Sequence, residues 1–529
     1  MRQPDGPMLK RASLLLLLAL LLPLGLAAPL VAQEEGEGAP AAAAQADDHG
    51  GEPRSDARRE RPESRRLPPA VATEHQIAIG GETIEYQAIA GSIVLEGANG
   101  REEADIAFVA YFRKGADPQR RPITFAFNGG PGAASAYLHI GALGPRRLSF
   151  GNEGEVPSSP PVLSDNAESW LPFTDLVFVD PVGTGFSRFL TSDGEVRRRY
   201  WSVDGDISAL GSFVWQFLNR YDRLASPKGL VGESYGGFRV PKLARALQTR
   251  FGIGVGTLVM ISPVLDFSLI EDGAVSPLAK AARLPSFAAT ALERGGRTIT
   301  SRAELAEAER YAGGPFLADF LRGPRDREAT ERFVAEVTRF TGLDEAFVRR
   351  LAGRVDMRSF VRELHRDRER VGSYYDGAVT GLDPDPFAAR SDFDDPVLDG
   401  SVAPLTSASV DYLARELGYR VDGRYHLLNR QVSGRWNWGS GRRQPQALGD
   451  LADALALDGR ARALVVHGFT DLVTPYFASK LALDQLPALG SDGGRVELAV
   501  LPGGHMFYTR DVSRRALTDA VRPLYEEIK

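Results

Sequence analysis

The chain has 529 residues, 43% of them hydrophobic and 25% charged, with a formal net charge of −6 at neutral pH. This is globular composition on a length that suits one large domain with insertions or two domains, and the lack of a basic excess argues against nucleic acid or an anionic membrane as partner. There is no cysteine, which removes thiol nucleophiles, zinc–thiolate sites and iron–sulfur clusters and leaves any chemistry to oxygen and nitrogen.

At the N-terminus, Lys10 and Arg11 precede a leucine-rich run over residues 14–26, and the small residues Ala27, Ala28 and Ala32 follow. A basic start, an apolar core and a small-residue end make an export signal, so residues 1–32 are expected to be cleaved and the remainder to be periplasmic or extracellular. An uncleaved anchor is the alternative, because the apolar stretch 12–32 is long enough to span a bilayer. Residues 33–70 are mostly Ala, Glu, Gly, Pro and Arg. So few large apolar side chains cannot offset the entropy of ordering, and the segment reads as a disordered linker.

Order is expected from Val71. Up to residue 265, short apolar runs at 123–127, 176–180, 229–231 and 258–261, bounded by Gly, Pro or Asp, read as buried parallel strands with helices between them. Residues 266–440 change character: 303–312, 328–341 and 344–351 have helical spacing and many Glu and Arg, which points to a mainly helical cap inserted into the sheet. Trp436 and Trp438, with Arg435, are expected to pack its base rather than to line the cap. Over 441–529 the strand grammar returns at 463–467 and 496–501, and an amphipathic helix over 512–528 closes the chain. The expected fold is an α/β-hydrolase, a mostly parallel sheet carrying a helical cap.

Gly232-Glu233-Ser234-Tyr235-Gly236 fits the G-x-S-x-G elbow, with a strand before it and a helix over 240–248 after it. The sharp turn needs small flanking residues and presents the serine hydroxyl at the top of the sheet, near a helix N-terminus that favours developing negative charge. A serine needs a base, usually a histidine oriented by a carboxylate, and in this fold the acid and then the histidine follow the nucleophile. His505, in a glycine-rich loop after a strand, is the expected base, and Asp471, in the loop after the preceding strand, the expected acid. Asp484 and Asp492 are weaker candidates for the acid. His467 is expected to be buried or to line the site, and His365 and His426 to pack or lie at the surface. No H-E-x-x-H pair and no Walker-type loop occurs, and Pro131 interrupts the amide array of Gly129 to Gly132, so no metal and no cofactor is expected.

Four segments resemble the serine carboxypeptidase family, of the carboxypeptidase Y type. They are Asn128-Gly129-Gly130-Pro131-Gly132, Ser169-Trp170 with Val179-Asp180-Pro181-Val182-Gly183-Thr184-Gly185-Phe186-Ser187, Gly232 through Gly237, and Gly503-Gly504-His505-Met506. The resemblance implies a triad of Ser234, Asp471 and His505. It implies an oxyanion hole from the amides of Gly130 and Tyr235, and a site for the substrate's terminal carboxylate at Asn128, Gly129 and Glu233. Ala126, Ala133 and Ala142 stand where the family often has a tryptophan, a half-cystine and the glutamate that pairs with the one before the serine. The expected activity is removal of C-terminal residues from peptides or proteins. An esterase or acyltransferase on the same triad is the runner-up, and a binding protein that has lost catalysis is the reading from another class.

Overall fold

The computed structural model describes residues 65–151, 160–271, 273, 275–388, 392–439, 444–486 and 494–526. The expected signal, most of the expected linker, and Asp492 lie outside the described residues. Val71 does open a strand, but ordered contacts begin earlier. Leu67 is buried and donates its amide to Asp105 Oδ2 at 2.7 Å, and the carbonyl of Pro68 accepts from Tyr419.

A ten-stranded sheet organises the chain. Its first three strands, β1 (Val71–Ile79), β2 (Glu82–Glu96) and β3 (Glu102–Arg113), form an antiparallel meander. No helix separates them, unlike the alternation expected there. Then follow β4 (Ile123–Phe127), β5 (Asp175–Val179), β6 (Lys228–Glu233), β7 (Thr257–Ile261), β8 (Arg462–Gly468) and β9 (Val496–Leu501). The order across the sheet is β1-β2-β3-β5-β4-β6-β7-β8-β9, parallel from β5 onward, and a two-residue strand at Arg188–Phe189 pairs with β3. This is the α/β-hydrolase fold.

Strands β4, β5 and β7 are buried along their whole length because helices cover both faces of the sheet. Alternate side chains feed separate cores. Ala126, Phe178, Val231, Val259 and Val466 face one side, where helix Asp511–Glu526 inserts Leu517, Val521 and Tyr525. Phe125, Val177, Leu230, Met260 and Val465 face the other, against helices Val203–Arg220, Tyr235–Arg250 and Leu448–Leu457.

Between β7 and β8 lie helices Pro277–Arg294, Ala306–Ala312, Pro315–Arg322, Arg327–Thr341, Glu345–Arg350 and Met357–Glu363, with a core of their own. That core also takes in Phe469, Leu472, Tyr476 and Phe477 from the segment after β8. Helix Leu398–Arg415 returns from this insertion to the sheet, where Tyr412 packs in the core containing Tyr111. The insertion is therefore joined to the sheet at two places, one of them next to the site.

Candidate active site

Parallel strands all present their carboxyl ends at one edge, and loops there are free to carry polar side chains. Asn128 follows β4, Ser234 follows β6, Asp471 follows β8 and His505 follows β9. Asn128, Gly129, Gly130, Glu233, Ser234, Tyr235 and His505 line one cavity of about 180 Å³. The expected nucleophile, base, oxyanion-hole and carboxylate-binding residues all meet there, and the expected acid, Asp471, stands behind His505.

The elbow at Ser234 is strained. Ser234 sits at φ 61°, ψ −121°, a conformation that L side chains rarely adopt. Although Ser234 occupies the N-cap position of the following helix, its hydroxyl makes no capping bond. The flanking glycines permit the turn: a Cβ on Gly232 would lie 2.1 Å from the carbonyl oxygen of Gly236, and one on Gly236 would lie 2.3 Å from that of Phe127. A Cβ on Gly129 would meet the Tyr235 amide nitrogen at 2.5 Å, so the loop after β4 and the elbow are packed backbone to backbone.

His505 Nδ1 lies 2.8 Å from Asp471 Oδ2, and both side chains are buried. Asp471 Oδ1 accepts the amides of Val473 and Thr474, each at 2.9 Å, so both of its oxygens are engaged. Thr474 Oγ1 stands 2.7 Å from Asp471 Oδ2 and 3.0 Å from His505 Nδ1. Burial by itself would depress the imidazole, but the charge and hydrogen bond of Asp471 outweigh it and hold His505 above its ordinary value. Ser262, after β7, fixes the histidine loop by donating to the carbonyl of His505 at 2.7 Å.

Across the cavity, Glu233 is buried and accepts from Asn128 Nδ2 at 2.5 Å, while the hydroxyl of Tyr508 stands 2.9 Å from each of its oxygens. Burial pushes its carboxyl up to about 7, against the pull of His505, Tyr508 and Asn128. Asn128 is oriented in turn, because its Oδ1 accepts the amide of Leu138 at 2.9 Å. Ala142 is buried and offers Glu233 no carboxyl. The neighbour that Glu233 has instead is Tyr508, three residues after His505.

The other candidates have structural surroundings. His467 is fully buried against Ser479 at 2.8 Å, and burial brings it down to about 4. His365 is buried in the insertion, and His426 bridges the backbone of Gly185. Asp484 is exposed and paired with Lys480. Trp436 and Trp438 pack edge-on to Tyr235, at 5.4 and 5.5 Å between ring centroids. Among the described residues no group of three or more His, Asp or Glu is placed to hold a metal.

The serine carboxypeptidase family profile matches residues 98–288. A stretch of 129 residues is 34% identical to a pheromone-processing carboxypeptidase kex1 from Sclerotinia sclerotiorum, covering 23% of this chain and 18% of the relative. Serine carboxypeptidase-like 8 from Arabidopsis thaliana is 32% identical over 153 residues, 28% of this chain and 33% of the relative. Over residues 98–288 the chain is similar to the serine carboxypeptidase family. The crystal structure of Kex1Δp, a prohormone-processing carboxypeptidase from Saccharomyces cerevisiae, superposes with a TM-score of 0.51 over 83% of this chain and 91% of that one, at 15% identity. That likeness concerns the fold. The matched segment contains Asn128, Glu233 and Ser234, whereas Asp471 and His505 lie beyond it: His505, after β9, lines the same cavity, and Asp471, after β8, stands behind it.

Sequence reasoning missed Thr474, Tyr508 and the insertion residues Tyr375 and Asp376. Thr474 had a local signal, since Asp-x-x-Thr is the spacing of a side chain that bonds back to its own loop. The other three reach the site only through tertiary contacts.

Proposed function

We propose that the protein is an exported serine carboxypeptidase acting through an acyl-enzyme on Ser234. The observation that carries this reading is the pairing, at one cavity, of a strained elbow at Ser234 and an Asp471–His505 couple with a buried carboxyl, Glu233, that burial pushes up to about 7.

In this reading, Asn128 and protonated Glu233, with the backbone at Gly129, receive the terminal carboxylate of the peptide. A neutral acid can donate to a carboxylate, whereas an ionised one repels it. Substrate so anchored places its last peptide carbonyl at Ser234. Ser234 Oγ attacks the carbonyl carbon as His505 takes the hydroxyl proton, and Asp471 stabilises the resulting imidazolium. The oxyanion is met by the amides of Gly130 and Tyr235; one such donor is typically worth about 2.7–4 kcal/mol. His505 returns the proton to the leaving amine, the C–N bond breaks, and an ester to Ser234 remains. Water, deprotonated by His505, then releases the shortened peptide and restores the serine. The productive form has neutral His505 and neutral Glu233. With the export signal read over residues 1–32, the place of action is periplasmic or extracellular.

The test compares N-blocked dipeptides, their C-terminal amides and a p-nitrophenyl ester, each beside Ser234→Ala, from pH 5 to 9. Cleavage of free acids but not amides is expected, with kcat/KM falling above about pH 7 as Glu233 loses its proton, and no such fall for the ester. Ester cleavage alone, through Ser234, would move the substrate class to esters or acyl transfer.

A further inference from the structure

The residue immediately before the acid and the residue immediately before the base are bonded to the same side chain. Thr470 Oγ1 donates to Asp376 Oδ1 at 2.6 Å, and the amide of Gly504 donates to Asp376 Oδ2 at 3.1 Å. Asp376 is buried and belongs to the insertion rather than to the sheet. We infer that Asp376 is a positioning residue that sets the Asp471–His505 pair by tying the two loops to one carboxylate. This rests on the roles of Asp471 and His505 proposed above.

The backbone on either side of Asp376 repeats the connection. On the acid loop, the amide of Gly377 donates to the carbonyl of Thr470 at 3.0 Å, and that of Leu472 to the carbonyl of Tyr374 at 3.1 Å. On the base loop, the amide of His505 donates to the carbonyl of Tyr375 at 2.5 Å, and the Tyr375 ring stands edge-on to the imidazole at 5.2 Å. The approach is close enough to dictate sequence: a Cβ on Gly504 would lie 2.1 Å from the Tyr375 carbonyl oxygen and 2.4 Å from Asp376 Cα. Gly504 is thus required by the insertion.

The turn that presents Asp376 is fixed before it touches the core. Asp395 accepts from Ser373 Oγ and from the amide of Tyr374, both at 2.7 Å, and Ser373 Oγ accepts the amides of Tyr375 at 2.9 Å and Asp376 at 3.1 Å. Arg510 Nη2 donates to Asp376 Oδ2 at 3.0 Å. Oδ2 is therefore shared between the base loop and Arg510, and Oδ1 between the acid loop and the amide of Ala378, which donates to it at 3.1 Å. Misplacing a catalytic group by about 1 Å can cost about a hundredfold in rate.

Asp376→Asn keeps the size but turns one accepting oxygen into a donor, so the donors of Thr470, Ala378, Gly504 and Arg510 cannot all be held as before. In the folded variant, kcat for peptide and ester is expected to fall about 10- to 100-fold with KM within about threefold. His505 faces Asp471, Glu233, Asp395 and buried His467. A looser Asp471 contact holds its proton less well, so the acidic limb of kcat/KM should move to lower pH. Thr470→Val, which cuts the acid-loop arm alone, should show a smaller loss of the same kind, and Thr470→Ser should restore it; this pair decides the matter if Asp376→Asn does not fold. Ser234→Ala is measured alongside: activity remaining there would refute the triad itself. An inert Ser234→Ala together with wild-type kcat in folded Asp376→Asn, or a loss that only tracks the unfolded fraction, would overturn the positioning role and leave the triad standing.

Discussion

Two buried carboxyl groups stand in two corners of the site, Glu233 lining the cavity and Asp471 behind His505, and the fold treats them in opposite ways. Asp471 is surrounded by donors: two amides, a threonine hydroxyl and an imidazole, all at 2.7 to 2.9 Å. Glu233 is met by an asparagine amide and a tyrosine hydroxyl, with no cation bonded to it, and burial raises it to about 7. Residue type does not decide what a carboxyl does; the number and charge of the donors around it do. In the proposed reading, one corner orients a base, and the other offers a proton to an anion.

The sharpest way to break the contrast is to remove the acceptor from the first corner. Asp471→Asn replaces one accepting oxygen with an NH2 group and leaves His505 Nδ1 without its carboxylate. Loss of the equivalent group in serine proteases costs about 10⁴-fold in kcat. A drop of about 10³- to 10⁴-fold is expected for both peptide and ester, read from steady-state kinetics, and an ester rate within tenfold of wild type would show that another base serves. The second corner should respond selectively. Glu233→Ala is expected to raise KM for free-carboxylate peptides about 10- to 100-fold, in proportion to a lost charge-assisted bond of about 1.5–3 kcal/mol. Ester hydrolysis should change less than threefold. Equal losses on both substrates would mean that Glu233 supports the elbow rather than the substrate.

Much of this arrangement was legible in the sequence because it is locally encoded. The apolar runs that become β4, β6 and β9 are short and bounded by turn residues, and the elbow advertises itself through glycines that steric contact makes irreplaceable. Chain order then picked Asp471 and His505 out of several carboxylates and histidines. The meander of β1 to β3 was not read, since long antiparallel strands with one partly exposed face lack the compact apolar signature of β4 or β7. Tyr508 and Asp376 were also invisible. Neither has a local motif, and each matters only because a loop from elsewhere in the chain lies against it.

Tyr508 gives the smallest effect and the finest discrimination between the corners. Its hydroxyl stabilises the ionised form of Glu233 and therefore holds the carboxyl below where burial alone would put it. Tyr508→Phe removes that bond, leaves the ring packed among the core side chains, and should raise Glu233 further. The sign follows directly: peptidase activity that needs the protonated acid fades at a higher pH, so the alkaline limb of kcat/KM shifts upward from about 7, by up to about one unit. At pH 6 the variant should lie within a few-fold of wild type, and the pH profile for the ester should not move. A limb that stays in place would mean that Asn128 alone governs the acid; one that moves downward would mean that Tyr508 acts chiefly as an acceptor for the Glu233 proton. The second result would make the tyrosine stand in for the missing second carboxyl at Ala142, with the proton shared between them.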